Sequence, residues 1–347
     1  MSRLLEIEGL AVTVPTPSGA IATLVEGVDL TLARGERVGL VGESGCGKSI
    51  TALALMGLLP VGARATGTIR LDGEDLLALD DRAMQRVRGR RIAMVFQEPM
   101  TALNPVRTIG AQIAEGMILH LRLSKREAED RARALLDRVG LPGPRFSLDL
   151  YPHQLSGGQR QRVVIAIALA CAPDILIADE PTTALDVTIQ AQILDLLADL
   201  VAERNMALLL ITHDLGVVEE MTQRMVVMYS GRVVETGATA DVFAHMAHPY
   251  THGLFSASPR RALDRRAGGR KIRLSAIPGQ VPDPLERPAG CAFAPRCPNA
   301  QADCLPAPPP LRPLGIATRA AHAAACLHPM PPGAEPAAAP SSGEALR

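Results

Sequence analysis

The chain carries Gly42-Glu43-Ser44-Gly45-Cys46-Gly47-Lys48-Ser49 directly after the apolar run Val38-Gly39-Leu40-Val41. A short, wholly apolar run is typical of a strand inside a sheet, and the pattern from Ile50 to Leu59 predicts a helix. Between strand and helix, glycines let backbone N–H groups curl around phosphate oxygens, and the helix N-terminus favours anions. We therefore expect this stretch to bind a triphosphate, with Lys48 at the β- and γ-phosphates and the Ser49 hydroxyl on Mg²⁺.

Two carboxylates, Asp179 and Glu180, follow a second apolar run, Ile175-Leu176-Ile177-Ala178. Asp179 is suited to hold Mg²⁺, directly or through water, and Glu180 is placed to polarise an attacking water as a general base. Standing alone, this pair would be better interpreted as a solvated loop. Beside the phosphate-binding stretch, it is better interpreted as a catalytic pair.

A second glycine-rich helix start is formed by Leu155-Ser156-Gly157-Gly158-Gln159. Ser156 is a good N-cap, and the glycines leave backbone N–H groups free for an anion. By itself the stretch could be a plain helix cap. Together with the first stretch, it gives one chain two phosphate-binding helix ends.

Strand-like and helix-like segments alternate along the chain, which predicts an α/β core. Further strands are predicted over Leu4–Val14, Val25–Leu32, Ile92–Gln97 and Ala207–Thr212, and further helices over residues 108–140 and Gly158–Ala170.

Composition excludes several functions. The chain has 347 residues with 36 Lys+Arg and 36 Asp+Glu, so its net charge of zero argues against a nucleic-acid binder that works by bulk charge. Without Trp and with three Tyr and five Phe, it also offers no base-stacking platform. No apolar run reaches the ~18 residues of a membrane span, and the N-terminus has no apolar signal core. We expect a soluble, cytosolic protein whose role at a membrane, if it has one, depends on a partner.

Taken together, these motifs resemble the ATP-binding subunit of an ABC transporter. The stretch 155–159 matches that family's signature sequence, Gln97 its Q-loop, Ala184-Leu185-Asp186 its D-loop and His213 its switch histidine, in the family's order over roughly residues 4–255. The resemblance implies a P-loop NTPase fold of the ABC type in residues 1–255, with an inserted helical subdomain over about 98–165.

The resemblance also implies a head-to-tail dimer, in which each ATP lies between the phosphate loop of one subunit and the signature helix of the other. It implies Glu180, His213 and Gln97 as catalytic residues and Ser49, Gln97 and Asp179 as Mg²⁺ ligands. The implied nucleotide-binding residues are Gly42, Glu43, Ser44, Gly45, Cys46, Gly47, Lys48, Ser49, Ser156, Gly157, Gly158, Gln159 and Asp186.

Two positions depart from the expected pattern. Val14 stands where the family commonly has an aromatic residue that stacks on adenine, so we expect looser adenine selectivity or an aromatic supplied elsewhere. Cys46 lies inside the phosphate loop. Its thiol is either a small filler, the better interpretation, or a reactive group with a pKa depressed by Lys48 and the helix N-terminus.

Four cysteines, Cys291, Cys297, Cys304 and Cys326, crowd a Pro-rich C-terminal region. In a reducing compartment this crowding favours a metal site over disulfides, and the spacing alone does not choose between Zn²⁺ and an iron–sulfur cluster. The residues around them, among them His248-Pro249-Tyr250 and Gly290-Cys291, resemble the C-terminal extension of the dipeptide, oligopeptide and nickel uptake subgroup. That resemblance implies a [4Fe–4S] cluster, with Zn²⁺ or unmetallated thiols as the alternatives. We expect the role of a metal here to be structural, because nothing nearby suggests electron transfer.

The sequence thus divides into the ATPase domain, a C-terminal extension over residues 256–330 and a tail over 331–347 that we expect to be disordered. Within the extension, the basic stretch Ser258–Arg273 is better interpreted as a solvated linker than as a lipid-facing patch.

The resemblance implies an importer ATPase at the cytoplasmic face of the inner membrane. Its expected partners are a second ATPase subunit, two membrane permease subunits that contact the surface around Gln97 to Pro105, and an extracytoplasmic peptide-binding protein. Nucleic acid is not an expected partner. Two alternatives remain: a non-transport ABC ATPase in DNA repair or translation, which would tend to carry two cassettes or a long coiled coil, and a redox or metal sensor.

Overall fold

A computed structural model describes residues 3–183, 185–257, 277–315 and 321–333. Three predicted features therefore lie outside the described residues: Ala184 of the predicted D-loop, the basic stretch Ser258–Arg273, and the tail beyond residue 333.

The described residues form strands and helices with the following bounds. The strands are β1 Arg3–Pro15, β2 Ile21–Ala33, β3 Arg37–Val41, β4 Arg64–Leu71, β5 Glu74–Asp75, β6 Ile92–Val95, β7 Ile175–Asp179, β8 Ala207–Thr212, β9 Arg224–Tyr229, β10 Arg232–Ala238, β11 Arg312–Pro313 and β12 Ala323–Ala324. The α-helices are α1 Lys48–Leu55, α2 Asp81–Val87, α3 Pro99–Ala102, α4 Ile109–Leu121, α5 Lys125–Arg138, α6 Gly157–Leu169, α7 Val187–Glu203, α8 Leu215–Met221, α9 Thr239–Ala244 and α10 Pro249–Ser256. None of the helices described is long and apolar enough to cross a membrane.

The larger sheet has the strand order β11-β12-β10-β9-β3-β8-β7-β6. Its pairs β9–β3, β3–β8, β8–β7 and β7–β6 are parallel. Their strands are almost wholly buried and apolar, as expected for strands covered on both faces. Because parallel strands end at the same edge, the loops after β3, β6, β7 and β8 meet there, and this edge is where ligands bind in such sheets.

A smaller antiparallel sheet, in the order β2-β1-β4-β5, covers one face of the larger one. Apolar side chains of β1 and β2, such as Leu5 and Val25, are fully buried in one core with Leu55 of α1 and Leu209 of β8. This packing holds the β1–β2 sheet against the helix that follows the phosphate-binding stretch.

A helical insert, α3 to α6, lies between β6 and β7. The helical region predicted over residues 108–140 consists of two helices, because α4 ends at Leu121, Arg122 takes a left-handed backbone with φ +54°, and Ser124 is the N-cap of α5. Ser124 and Glu127 form a reciprocal capping box that fixes this second start. The sequence pattern alone missed the break.

The C-terminal extension joins the edge of the larger sheet. β12 pairs with β10 through Glu235 and Ala324, and the buried Glu235 carboxylate lies 2.8 Å from His322 Nε2. The same carboxylate accepts the N–H groups of Ala247 and His248 at 2.8 and 2.9 Å. A buried carboxylate with this many partners ties the extension to the ATPase domain. The predicted boundary near residue 255 stays a prediction.

Candidate active site

The loops after four parallel strands form one cleft of about 300 Å³, here called the nucleotide cleft, and seven of the predicted site residues line it. It is lined by Leu24, Ser44, Gly45, Gly47, Lys48, Ser49, Ile50, Gln97, Glu180, Ser230, Pro282, Pro284 and Arg287.

The phosphate-binding stretch has a backbone that requires glycine at two positions. Gly42 has φ +151°, and a Cβ there would lie 2.3 Å from the Met228 carbonyl oxygen. Gly47 has φ +105° at the N-cap of α1. Lys48 folds back over the loop, where its Nζ donates to the carbonyl oxygens of Gly42 and Glu43 at 2.8 and 3.0 Å. The ammonium group therefore stands at the N-terminus of α1, where an anion is favoured.

Cys46 is fully buried beneath this loop. Burial raises the pKa of its thiol above the ordinary value, although Lys48 Nζ, 3.7 Å from Sγ, acts in the opposite direction. A buried, protonated thiol is a weak nucleophile. The structure thus favours the interpretation of Cys46 as a filler of the loop.

Ser49 and Asp179 form an oxygen-rich pair at the floor of the cleft. The Ser49 hydroxyl donates to Asp179 Oδ1 at 3.2 Å, and Asp179 is buried. Burial raises the pKa of Asp179, and the negative charge of Glu180 adds to that effect. Hydroxyl and carboxylate oxygens are ligands that Mg²⁺ prefers, so these residues fit a Mg²⁺ ion.

Glu180 is the centre of a polar group at the edge of the cleft. Its Oε2 accepts from Gln97 Nε2 at 3.1 Å and from the Thr183 hydroxyl at 2.8 Å, and its Oε1 lies 3.2 Å from His213 Nδ1. Glu180 has a left-handed backbone, φ +46°, which is uncommon for a non-glycine residue and is typical of functional sites. The arrangement can orient a water molecule and accept its proton. The sequence did not predict Thr183 as a partner of Glu180, because Thr183 occupies no motif position.

The signature stretch, residues 155–159, begins α6 with a capping box between Ser156 and Gln159. Gly158 allows a close approach to α7, since a Cβ there would lie 2.6 Å from Ile189 Cγ2. Asp186 caps α7, where its carboxylate accepts from Ile189 N–H at 3.0 Å. It is not among the described residues that line the cleft. Of the described residues that line the nucleotide cleft, none belongs to the signature stretch. One chain therefore holds both helix starts without bringing them together.

The phosphate-binding stretch is also held by the C-terminal extension. Arg296 donates from Nη1 and Nη2 to the two carboxylate oxygens of Glu43 at 2.8 and 3.0 Å, and the Tyr250 hydroxyl accepts Glu43 N–H at 2.7 Å. Arg296 also donates to the Tyr229 hydroxyl at 3.2 Å and is buried among aromatic rings. No motif in the sequence predicted Arg296 as a partner of the loop.

The four C-terminal cysteines line a single small cavity, and all six cysteines of the chain are free thiols. Burial raises the pKa of Cys326 to about 12, and the charges of Cys297, Cys291 and Cys304 add to the effect, which reflects their proximity. No three of these sulfurs come within 4.8 Å of one another. In the described residues, the possible metal-ligand atoms of Asp303, Cys304 and His328 all lie within 4.8 Å of one another, so these three form a tighter set.

Comparison with protein-family models gives two matches. A model described as "ABC transporter" matches residues 25–183, and one described as "Oligopeptide/dipeptide transporter, C-terminal region" matches residues 234–304.

Comparison with curated proteins finds close relatives. A protein of Brucella abortus (strain 2308), named as a peptide import ATP-binding protein, is 53% identical over 320 residues, which cover 90% of this chain and 94% of the relative. A second one, from Brucella melitensis biotype 1 and named in the same way, is 53% identical over 303 residues, covering 87% of this chain and 89% of the relative.

Solved structures with the same fold include a dimeric ATP-binding cassette in a post-hydrolysis state, bound to ADP and Pi. It is 30% identical, with a TM-score of 0.60, and the match covers 68% of this chain and 98% of that one. A cassette from Clostridium perfringens, part of an ABC transporter complex, is 28% identical with a TM-score of 0.60, covering 70% of this chain and 92% of that one.

Proposed function

Because the chain belongs to the family of ABC transporter ATP-binding proteins, we propose that it is the ATPase subunit of an importer that takes up dipeptides or oligopeptides. The peptide cargo is inferred from the match to the oligopeptide/dipeptide C-terminal region and from the names of the relatives. One observation carries the ATPase chemistry: Glu180, with Gln97 and His213 around it, lines the same cleft as Lys48 and Ser49.

In the proposed reaction, Lys48 and the backbone N–H groups of the loop hold the β- and γ-phosphates of ATP. Mg²⁺, held by Ser49, Asp179 and Gln97, would neutralise phosphate charge. Glu180 accepts the proton of the attacking water, while His213 orients that water beside the γ-phosphate. Thr183 and Gln97 fix the Glu180 carboxylate in position.

The second half of each nucleotide site is proposed to come from another subunit. Ser156, Gly157, Gly158 and Gln159 begin a helix on the same chain but do not line its own cleft. A head-to-tail dimer would place this helix start against the γ-phosphate held by the partner subunit. Asp186, at the start of α7, would lie at the same interface.

The helical insert is proposed to dock on the membrane subunits. A cleft of about 570 Å³ runs along α4, and it includes Ile118 and Leu119, which are 42% and 69% exposed. Exposed apolar residues in a cleft with a charged rim, here Arg107, Glu115 and Lys125, mark interaction sites. The cleft begins next to the Gln97–Pro105 surface, so binding there would hold the subunit at the cytoplasmic face of the membrane.

Co-purification with membrane subunits tests this docking. We expect tagged protein to capture integral-membrane permease subunits from detergent-solubilised membranes. Leu119→Glu should reduce the capture at least about tenfold, because it buries a charge at the interface, without loss of ATP binding. Val61→Glu is the matched control, since Val61 is fully exposed away from this cleft. Capture of ribosomes or DNA without a membrane protein would instead favour the non-transport alternative.

We further propose that Cys291, Cys297, Cys304 and Cys326 hold a [4Fe–4S] cluster. Four thiols in one cavity fit the donor set of such a cluster. A single tetrahedral Zn²⁺, with Zn–S bonds of about 2.3 Å, accepts the same four thiolates and is the alternative. When bound, the cluster would cross-link the loops that carry the four cysteines, and no electron-transfer role is proposed.

Metal analysis of anaerobically purified protein tests the cluster. We expect about four iron atoms and about four acid-labile sulfides per chain, and their loss in Cys297→Ser. His328→Asn is the matched variant, because His328 belongs with Asp303 and Cys304 to the tighter set. If zinc is found instead, and His328→Asn removes it while Cys297→Ser does not, the metal belongs to that second set. Protein with neither iron nor zinc would rule out both.

A further inference from the structure

The C-terminal extension forms one wall of the nucleotide cleft. Pro282, Pro284 and Arg287 line it together with Leu24 of β2 and Ser230, which follows β9. None of the three extension residues belongs to a phosphate-binding motif, and they lie between the boundary of the ATPase domain and the first cysteine of the cavity. The wall is therefore a feature of this cleft that the motifs do not account for.

Arg287 fastens this segment to the ATPase domain. Its Nε donates to the Ser230 hydroxyl at 3.1 Å, its Nη1 to Glu26 Oε2 at 3.0 Å and its Nη2 to the Thr23 carbonyl oxygen at 2.9 Å. The side chain is 10% exposed. Because its charge is paired with Glu26 and all three of its nitrogens donate, Arg287 is not a free cation for phosphate; it fixes to the ATPase domain the segment that also carries the two prolines.

The lining of the cleft divides by chemistry. Lys48, Ser49, Gln97 and Glu180 supply its charged and hydrogen-bonding groups, which suit a triphosphate and Mg²⁺. Leu24, Ile50, Pro282 and Pro284 supply apolar surface, and Ile50 lies beside Ser49 at the phosphate end. A nucleoside triphosphate has the same two parts, and a flat purine ring gains most from apolar contact with rigid neighbours.

Over the part of the chain that the structure describes, the cleft lacks the aromatic residue that commonly stacks on adenine in this family. Val14, which takes the place of an aromatic residue, pairs with Ala22 in the β1–β2 ladder and is not among the described residues that line the cleft. Val14 therefore does not supply apolar contact for the base in this cleft, whereas Leu24, Pro282 and Pro284 line it.

We propose that Pro282 and Pro284 of the C-terminal extension contact the adenine base of bound ATP, held in place by Arg287. This rests on the proposed function, because it requires that the cleft binds ATP. The extension then takes part in nucleotide binding itself, in addition to carrying the four cysteines.

Binding of two ligands, ATP and inorganic tripolyphosphate, tests the proposal on the full-length protein. For Pro282→Ala/Pro284→Ala, we expect ATP affinity to fall about five- to tenfold while tripolyphosphate affinity stays unchanged, because only ATP carries a base. Pro306→Ala/Pro310→Ala is the matched control, since both prolines are exposed on the same extension. Lys48→Ala should weaken both ligands, since it removes a phosphate contact.

The outcomes separate the two claims. ATP affinity that stays unchanged in the cleft variant, or an equal loss for both ligands, overturns the base contact and leaves the proposed function standing. A wild-type protein that binds neither ligand overturns the proposed function, and the base contact with it.

A second measurement uses the wild-type chain, so it does not depend on the variant folding. Photolysis of bound 8-azido-ATP should label residues within 277–290. Label confined to the β1–β2 hairpin would contradict the proposal.

Discussion

Glu180→Gln is expected to lower ATP hydrolysis by at least about 100-fold while ATP binding persists. Glutamine keeps the size of the side chain and an oxygen that can accept from Thr183, but the amide cannot take a proton from water. ATP should therefore accumulate in the cleft, and light scattering should detect a dimer that forms with ATP and persists. Phosphate release under single-turnover conditions separates the chemical step from binding.

Glu220→Gln provides the control, because Glu220 is an exposed residue of α8 that takes no part in the cleft. It should hydrolyse ATP at the wild-type rate. A Glu180→Gln protein that hydrolyses ATP normally would remove Glu180 from the role of general base. If the variant binds ATP without hydrolysis and stays monomeric, the dimer proposal needs the membrane subunits, and the same measurement should be repeated on the co-expressed complex.

Removing the Glu43–Arg296 pair is expected to give a large loss of stability. Arg296 is 5% exposed at its side chain and Glu43 is 29% exposed, so Glu43→Gln leaves a buried guanidinium without its counter-charge. We expect the free energy of unfolding to fall by about 2–3 kcal/mol, below the upper range for fully buried pairs because water reaches Glu43. ATP affinity should fall as well, since Glu43 belongs to the loop that holds the phosphates.

A double-mutant cycle of Glu43→Gln and Arg296→Met, measured by urea unfolding, isolates the coupling of this pair. The matched cycle is Glu8→Gln with Arg70→Met, a pair at 3.0 Å with side chains 57% and 39% exposed. Such exposed pairs contribute about 0–1 kcal/mol, so the second coupling should be clearly smaller. Equal couplings would show that burial of Arg296 adds nothing.

The sequence predicted the phosphate-binding stretch, the acidic pair and the signature stretch because each is local. Residues adjacent in the chain and a glycine backbone determine these features, and the parallel sheet then brings Gln97, Glu180 and His213 together at one edge. Helix boundaries were less predictable. α1 ends at Leu55 rather than Leu59, close to Gly57, whose φ of +59° a continuing helix would not tolerate.

Contacts between distant parts of the chain could not be predicted. Arg296 stands beside Cys297 in the sequence, and nothing in that neighbourhood indicates that its partner is Glu43. Pro282 and Pro284 likewise have the composition of a loop, and only the folded chain brings them to the cleft. Both contacts depend on how the extension packs against the ATPase domain, which the local sequence does not encode.

The Glu43–Arg296 pair joins residues 253 positions apart, and this separation has a consequence during synthesis. At roughly 5–20 residues per second, a ribosome produces the phosphate loop roughly 10–50 s before Arg296. Throughout that interval, the nascent chain has the loop but lacks the side chain that holds it. The nucleotide cleft is therefore completed only after Arg296 has been synthesised, and a chain terminated before that residue would keep the motif without the finished cleft.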